Sequence, residues 1–341
     1  MNLHSAVSLC ASVVGGGVAP FLPIVGLSAN WVTGCSQELK MSVDCDTGIK
    51  GQVWVNAKAL LEVLSGLGPT AELRQEKGAI FVVAGKSKKK LSTHEQGPLF
   101  EGMTGGTALE FEPAPLSIAF GRVLPACDPD CSKASLRGVA LDDGIAWCAT
   151  SSGLHLTTLS AARTMPTIPV SVAKAIVRAI EAGTTGIVKV RVGTNESEWQ
   201  CGEVTIRGPM MAEDRPPEFA TRTVDASRAK QTHKATANRK ALVAAVKIAS
   251  LSRLDAGGKD VPPIRIESRA GVAMLTSNET AESECACVGD IAPIMVTGQQ
   301  MMDALSTIDA EEVEILTAED SLVPVFVTAG ADVRMIVQVR R

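Results

Sequence analysis

The residues able to do chemistry are few, and their spacing suits little of it. The chain has four histidines, His4, His94, His155 and His233, and nine cysteines. A structural zinc site wants four ligands arranged as closely spaced pairs. Cys127-Asp-Pro-Asp-Cys131 and Cys285-Ala-Cys287 do not form such pairs, and no histidine is placed to complete a tetrahedron. Alternation instead puts Cys285 and Cys287 on one face of a strand. The histidines lie far apart with no partnered nucleophile, so hydrolytic catalysis has no visible constellation. The glycine-bearing stretches "GGGVAP" (15–20) and "GTTGIVKV" (183–190) lack both the strand-loop-helix context and the lysine of a phosphate cradle. Neither an enzyme, a metal nor a cofactor is expected. The one strongly basic run, "GKSKKK" with Lys86, Lys88, Lys89 and Lys90, is the type of segment that attracts nucleic acid. On a strand and turn it reads first as a solvated edge.

Composition sets the frame around these residues. At 341 residues and 45% hydrophobic content the chain can bury ordinary cores in two or three domains. A formal charge of -4 still permits a basic surface and an acidic one on the same molecule. An odd number of cysteines scattered through apolar segments suits a reducing cytoplasm better than a disulfide framework. The first 37 residues hold no Lys, Arg, Asp or Glu, but they lack the positive start of a signal peptide, and three glycines and two prolines interrupt the apolar run. No stretch reaches the length of a membrane span.

The elements that must position any site are written three times. "AKALLEVL" starts at residue 57, "AKAIVRAI" at 173 and "GQQMMDAL" at 298, with Leu60, Ile176 and Met301 in register and Leu64, Ile180 and Leu305 one turn later. That spacing is close to the size of a compact domain, about 100–150 residues. Each copy follows a short β-branched stretch: "QVWV" (52–55), "TIPVSV" (167–172) and "APIMV" (292–296). Each precedes strand-like alternation, such as "GAIFVVAGKSKKKLST", "GIVKVRVG" and "EEVEILTA". A second amphipathic helix lies upstream of each copy, at 4–14, 115–124 and 238–254, with Asn238 as an N-cap. The reading is α+β: an internal triplication of a two-helix, many-stranded domain, with boundaries at 1–105, 106–225 and 226–341.

At this point the chain resembles the bacterial sliding-clamp family, the β subunit of DNA polymerase III. "LPIVG" (22–26), "GKSKKKLST" (85–93), "RPPEF" (215–219) and "MIVQVRR" (335–341) sit where that family carries similar words, and the likeness covers essentially the whole chain. The resemblance implies three like domains per subunit and a head-to-tail homodimeric ring with helices lining the hole. It implies a cytoplasmic processivity factor with no membrane association. Its partners would be double-stranded DNA held without regard to sequence, the replicative polymerase, the clamp loader and other proteins with clamp-binding motifs. Diffuse attraction to phosphate would then fall to Lys58, Arg122, Lys133, Lys174, Arg178, Arg239, Lys240, Lys247 and Arg253. A peptide-binding cleft would be walled by Leu136, Gly153, Leu154, His155, Leu156, Pro217, Thr221, Met335, Ile336, Val337, Gln338, Val339 and Arg340.

The chain also departs from the family. It has no tyrosine; Ala134 and Ser135 stand where relatives carry loop aromatics; and Ala19 stands where they often carry arginine. The segment between "LPIVG" and Trp31 is short, which implies a trimmed first domain. Gln338 and Arg341 replace a proline and a hydrophobic terminus. These departures motivate a second reading, an adaptor that keeps the cleft but no longer encircles DNA.

Overall fold

A computed structural model describes residues 1–14, 23–94, 97–98, 100–131, 133, 136–160, 163–183, 185–211, 218–253, 263–277 and 281–339, with Ser252 and Arg253 as backbone only. Ala19, Leu22, Ala134, Ser135, Pro217, Arg340, Arg341 and the Arg253 side chain, all named above, lie outside the described residues.

The first third runs α1 (Leu3–Ala11), β1 (Ile24–Ser28), β2 (Trp31–Cys35), β3 (Lys40–Asp44), β4 (Val53–Asn56), α2 (Ala57–Leu67), β5 (Glu72–Glu76), β6 (Ala79–Ala84), β7 (Ser87–Leu91) and β8 (Thr93–His94). The second runs β9 (Thr107–Phe111), α3 (Pro113–Val123), β10 (Gly138–Asp142), β11 (Ile145–Thr150), β12 (Gly153–Thr158), β13 (Met165–Pro169), α4 (Val170–Glu181), β14 (Val188–Val192), β15 (Glu196–Cys201) and β16 (Val204–Pro209). A connecting helix, α5 (Phe219–Arg228), leads into the third. That third runs β17 (His233–Asn238), α6 (Arg239–Ala249), β18 (Pro263–Arg269), β19 (Val272–Ser277), β20 (Ala281–Gly289), β21 (Ile294–Thr297), α7 (Gly298–Ser306), β22 (Glu312–Thr317), β23 (Val325–Ala329) and β24 (Asp332–Ile336). Helix, three strands, strand, helix, three strands recurs in each third.

The repeated helices sit where the periodicity puts them, as α2, α4 and α7. Leu60, Ile176 and Met301 are each completely buried at the same point of the repeat, and Leu64 and Leu305 follow one turn on. Each such side chain contributes about 1.5–3 kcal/mol of burial. Ile180 is only half-buried, and Ala179 closes the core beside it. Asn56 and Asn238 accept a hydrogen bond from the third helical amide, and Thr297 with Gln300 forms a reciprocal capping box. Boundaries differ from the sequence reading: α1 ends at Ala11 and α6 at Ala249, short of 14 and 254. "TIPVSV" is strand only to Pro169, because Val172, Ala173 and Ile176 bury at helical spacing and draw Val170–Val172 into α4.

The chain divides into two compact units, residues 1–117 with 171–211 and residues 118–170 with 212–341. The first holds a nine-stranded sheet in the order β8-β4-β1-β2-β3-β16-β15-β14-β9 and a three-stranded sheet β5-β6-β7. Phe111 stacks on Trp199 beneath it, with centroids 6.0 Å apart. The second holds a twelve-stranded sheet, β13-β10-β11-β12-β24-β23-β22-β17-β20-β19-β18-β21. All described pairings are antiparallel, and the local register repeats: β1 pairs β2 and β4, β10 pairs β11 and β13, β18 pairs β19 and β21. Two pairings stitch repeats together. β3 pairs β16, with Met41 opposite Ile206, and β12 pairs β24, with Leu154 opposite Met335.

Among the described residues no helix is long and apolar enough to cross a membrane. Gly138 lets β10 approach β13, since a Cβ there would overlap the Ile168 carbonyl. Gly138→Ala is expected to lower stability by about 2 kcal/mol or more. Urea titration reads this as a lower midpoint, and an unchanged midpoint would mean that β13 can move aside.

Candidate functional site

The β12–β24 junction sorts its side chains by parity. Leu154 and Leu156 face the same way as their neighbours Met335 and Val333, and join Trp147, Ala149 and Phe326 in one cluster. Helix α5 covers that cluster with Ala220 and Val224, while Leu136 and Phe219 pack at its margin. Phe219 tilts onto Trp147 at 5.5 Å between centroids. Gly153 permits the close pairing, because a Cβ would overlap the Met335 carbonyl. Thr221, on α5, is half-buried. The predicted wall residues Leu136, Leu154, Leu156 and Met335 thus share one cluster, with Thr221 on the helix that covers it. His155 and Ile336 do not join them: His155 falls on the opposite face, opposite Arg334, and Ile336 belongs to the core of the last third. The physical reason is the two-residue period of a strand.

That opposite face holds a buried charge network, which the sequence reading did not anticipate. Arg334 is fully buried and donates to the carbonyls of Leu156 at 2.8 Å, Val333 at 3.1 Å and Thr307 at 3.0 Å, and to the Thr307 hydroxyl at 2.8 Å. Asp332 lies 3.5 Å from it, accepts the Thr157 hydroxyl at 2.6 Å, and binds Arg122 at 3.1 Å. One carboxylate therefore serves two guanidiniums. Burial draws the Arg334 pKa down to about 10, Asp332 opposing, so it stays charged at neutral pH. Burial, and then the Arg334 charge, push His155 down to about 3, and a hydrogen bond to the Arg122 backbone only partly resists. His155 is neutral at physiological pH, and its Nδ1 has no hydrogen-bond partner among the described residues. The only signal for this network was the pair Asp332 and Arg334 inside an otherwise apolar strand.

Beyond β24 the chain stays fastened. Val337 N–H donates to the Ser152 carbonyl at 2.9 Å, and Val339 N–H to the Met295 carbonyl at 2.8 Å. The buried Gln338 amide donates to Val323 at 2.8 Å and accepts from Met295 at 3.3 Å. A cavity of about 490 Å³ opens beside this segment, lined by Arg265, Met295, Ser321, Gln338 and Val339 among others. Leu322 and Val337 are exposed, at 63% and 41%. An aliphatic surface with fixed backbone groups and one arginine can seat a short extended peptide. Met295, Ser321 and Leu322 were missed in the sequence because they come from loops and strand ends with no distinguishing pattern.

The basic residues divide into two sets. Lys58 on α2, Lys174 and Arg178 one turn apart on α4, Lys240 and Lys247 on α6, and Lys133 in the α3–β10 connection are all exposed. Lys58 stands 4.0 Å from Glu62, both in solvent, which leaves its charge available. Arg122 and Arg239 are committed elsewhere. Arg122 holds Asp332, and Arg239 donates to Ala310 at 2.8 Å and to Leu305 at 3.3 Å, satisfying a carbonyl at the end of α7. Helices α1 and α7 carry no Lys or Arg. Of the Lys86–Lys90 run, Lys86 lies in the turn before β7 and the rest in β7, an edge strand exposed from Ser87 to Lys90, with Lys88 paired to Glu76 and set 4.0 Å above the Phe81 ring. On β20, Glu282 and Glu284 are exposed, and the second edge of residues 281–286 has no strand partner among the described residues.

No family model and no curated protein matches the chain. Solved structures do, over the full length. The chain is similar to the DNA polymerase III beta subunit of Thermotoga maritima, with 15% identity, 100% of this chain and 97% of that one covered, and a TM-score of 0.84. It is similar to the DNA polymerase sliding clamp of Bacillus subtilis, with 16% identity, coverage of 99% and 97%, and a TM-score of 0.82. It is also similar to a sliding clamp (DNA polymerase III subunit beta) of Bartonella birtlesii bound to griselimycin, with 14% identity, coverage of 99% and 97%, and a TM-score of 0.83. The chain has the sliding-clamp fold, and the α+β reading with its repeated units is borne out.

Two outcomes test the buried network. Asp332→Ala strands two guanidiniums and is expected to cost about 3–5 kcal/mol of stability, measured by denaturant unfolding. The unfolded chain binds a proton at His155 below its usual 6.5, whereas the native chain does so only near 3. Stability should therefore fall on acidification through that window, by at most about 1.4 kcal/mol per pH unit. His155→Leu should flatten that slope, and an unchanged slope would assign it to other groups.

Proposed function

We propose that the chain is a DNA sliding clamp: a homodimer, closed head to tail, that encircles duplex DNA and tethers a replicative polymerase, with no chemistry of its own. The observation that carries this reading is how the repeats join. At each internal junction the third strand of one repeat pairs with the last strand of the next, β3 with β16 and β12 with β24. By the same rule two edges are left over among the described residues, that of residues 281–286 in β20 of the third repeat and that of β7 in the first. Their exposed charges are opposite, Lys88 and Lys90 against Glu282 and Glu284, each pair spaced by two residues. Antiparallel pairing between copies would set them face to face and contribute about 0.2–1 kcal/mol per cross-strand pair. The reading keeps three domains, 1–105, 106–225 and 226–341.

In this reading Lys58, Lys133, Lys174, Arg178, Lys240 and Lys247 face phosphate, and they need only weak, salt-screened attraction because retention is topological. Arg122 and Arg239 act in the scaffold. The cavity beside Val339 seats linear peptides from the polymerase and the clamp loader, in the cytoplasm, and the buried cluster around Leu154, Leu156 and Met335 holds together the β12–β24 joint that leads to it. Leu322 and Val337 are the exposed apolar rim that a peptide would cover.

The test joins light scattering to loading on nicked circular DNA. The expected result is a mass twice that of one chain, with DNA-bound protein lost when the circle is cut. A dimer that never stays on circles even with a cognate loader would favour the adaptor reading. Lys88→Glu with Lys90→Glu should weaken the dimer at least tenfold, and adding Glu282→Lys with Glu284→Lys should restore it. Lys174→Glu with Arg178→Glu should weaken DNA binding alike for all sequences and reduce the salt slope by about two.

A further inference from the structure

Beyond tethering, we infer that Cys127 and Cys148 form a peroxide-responsive thiol pair whose oxidation staples the α3–β10 connection to β11. Their sulfurs lie 2.6 Å apart, about half an ångström longer than a disulfide bond. Both residues are thiols in this structure. They come from different elements. Cys127 follows the short 3-10 turn at Leu124–Ala126, to which its N–H is tied at 2.9 Å, and Cys148 is central in β11.

The two sulfurs differ in access, and that difference assigns the roles. Cys127 is half-buried and open to a small oxidant, whereas Cys148 is completely buried. The Cys127 thiolate attacks one peroxide oxygen, the O–O bond breaks, and the products are a sulfenic acid and hydroxide. The Cys148 sulfur then attacks the Cys127 sulfur, the S–O bond breaks, and its hydroxyl leaves as water with the Cys148 proton. Overall two thiols and one hydrogen peroxide give one disulfide and two waters. The local change is small: Cys148 gives up its contact with the Gly138 carbonyl at 3.2 Å.

Selectivity over the other cysteines follows from burial and position. Burial pushes the thiol pKa of Cys35 to about 11 and of Cys201 to about 12, and raises Cys10 well above its ordinary value, so these hold little thiolate. Cys131 shares the connection with Cys127, but its backbone is held by the Arg137 guanidinium, which donates to its carbonyl. Between Cys127 and β10 lie Lys133, exposed, and Leu136, packed on the Trp147 cluster. A disulfide would fix the entry of this connection. The consequence for DNA or peptide binding rests on the clamp reading, but the cross-link itself does not.

The experiment exposes the full chain to graded hydrogen peroxide, blocks free thiols, and maps peptides without reduction, with hydrogen exchange across residues 127–137. The expected result is a first cross-link between Cys127 and Cys148, reversed by dithiothreitol, with at least tenfold slower exchange in that segment. Cys127→Ser should abolish the cross-link and leave Cys148 unmodified, while Cys131→Ser should change neither. Pairing of Cys127 with Cys131, or oxidation of Cys127 to sulfinic acid with Cys148 still a thiol, would overturn the inference. Because the map reads a covalent bond, its outcome is independent of whether the protein loads onto DNA.

Discussion

A strand edge carries a row of amide and carbonyl groups that must find partners, and this molecule is organised around how its edges find them. At the two internal junctions the last strand of one repeat, β16 or β24, meets the third strand of the repeat before it, β3 or β12. Joining one to the other turns separate sheets into the nine- and twelve-stranded sheets.

The β12–β24 junction shows what such a joint costs when it must also be specific. Burying Arg334 is favourable only because four oxygens and Asp332 take up its donors. Those partners come from β12, β24 and the end of α7, so the guanidinium can be satisfied in a single register. A slip of one residue would turn Arg334 to the apolar face, opposite Leu154 or Leu156 according to the direction of the slip. Polar satisfaction on one face thereby protects the apolar cluster on the other.

Much of this was legible in the sequence, and the reasons are local. The helices at 57, 173 and 298 announce themselves because burial at a period near 3.6 leaves an unmistakable pattern, and Asn238 marks its helix start through a bond three residues away. What was illegible depends on partners far off in the chain. Whether His155 or Leu154 joins the apolar cluster is decided by pairing with β24, and nothing near residue 155 encodes that parity. Arg122 and Arg239 read as surface cations because charged residues usually are, yet each meets its oxygen acceptors in a distant segment. The strand at 167 ended early because a β-branched run is ambiguous until the core it faces is known.

The pairing of β12 with β24 also has a temporal side. Residue 153 waits for residue 336, so on a ribosome the middle repeat is complete in sequence long before its sheet can be. During that interval β12 presents an open edge with Leu154 and Leu156 beside it, and β3 waits likewise for β16. Such long-range closure is slow relative to local hairpins and exposes the nascent chain to wrong partners, other copies of itself among them. The buried arginine sits at the last joint to close, where a misregistered strand would strand a full charge in the core, so the chemistry of that joint also acts as a checkpoint on translation-coupled folding.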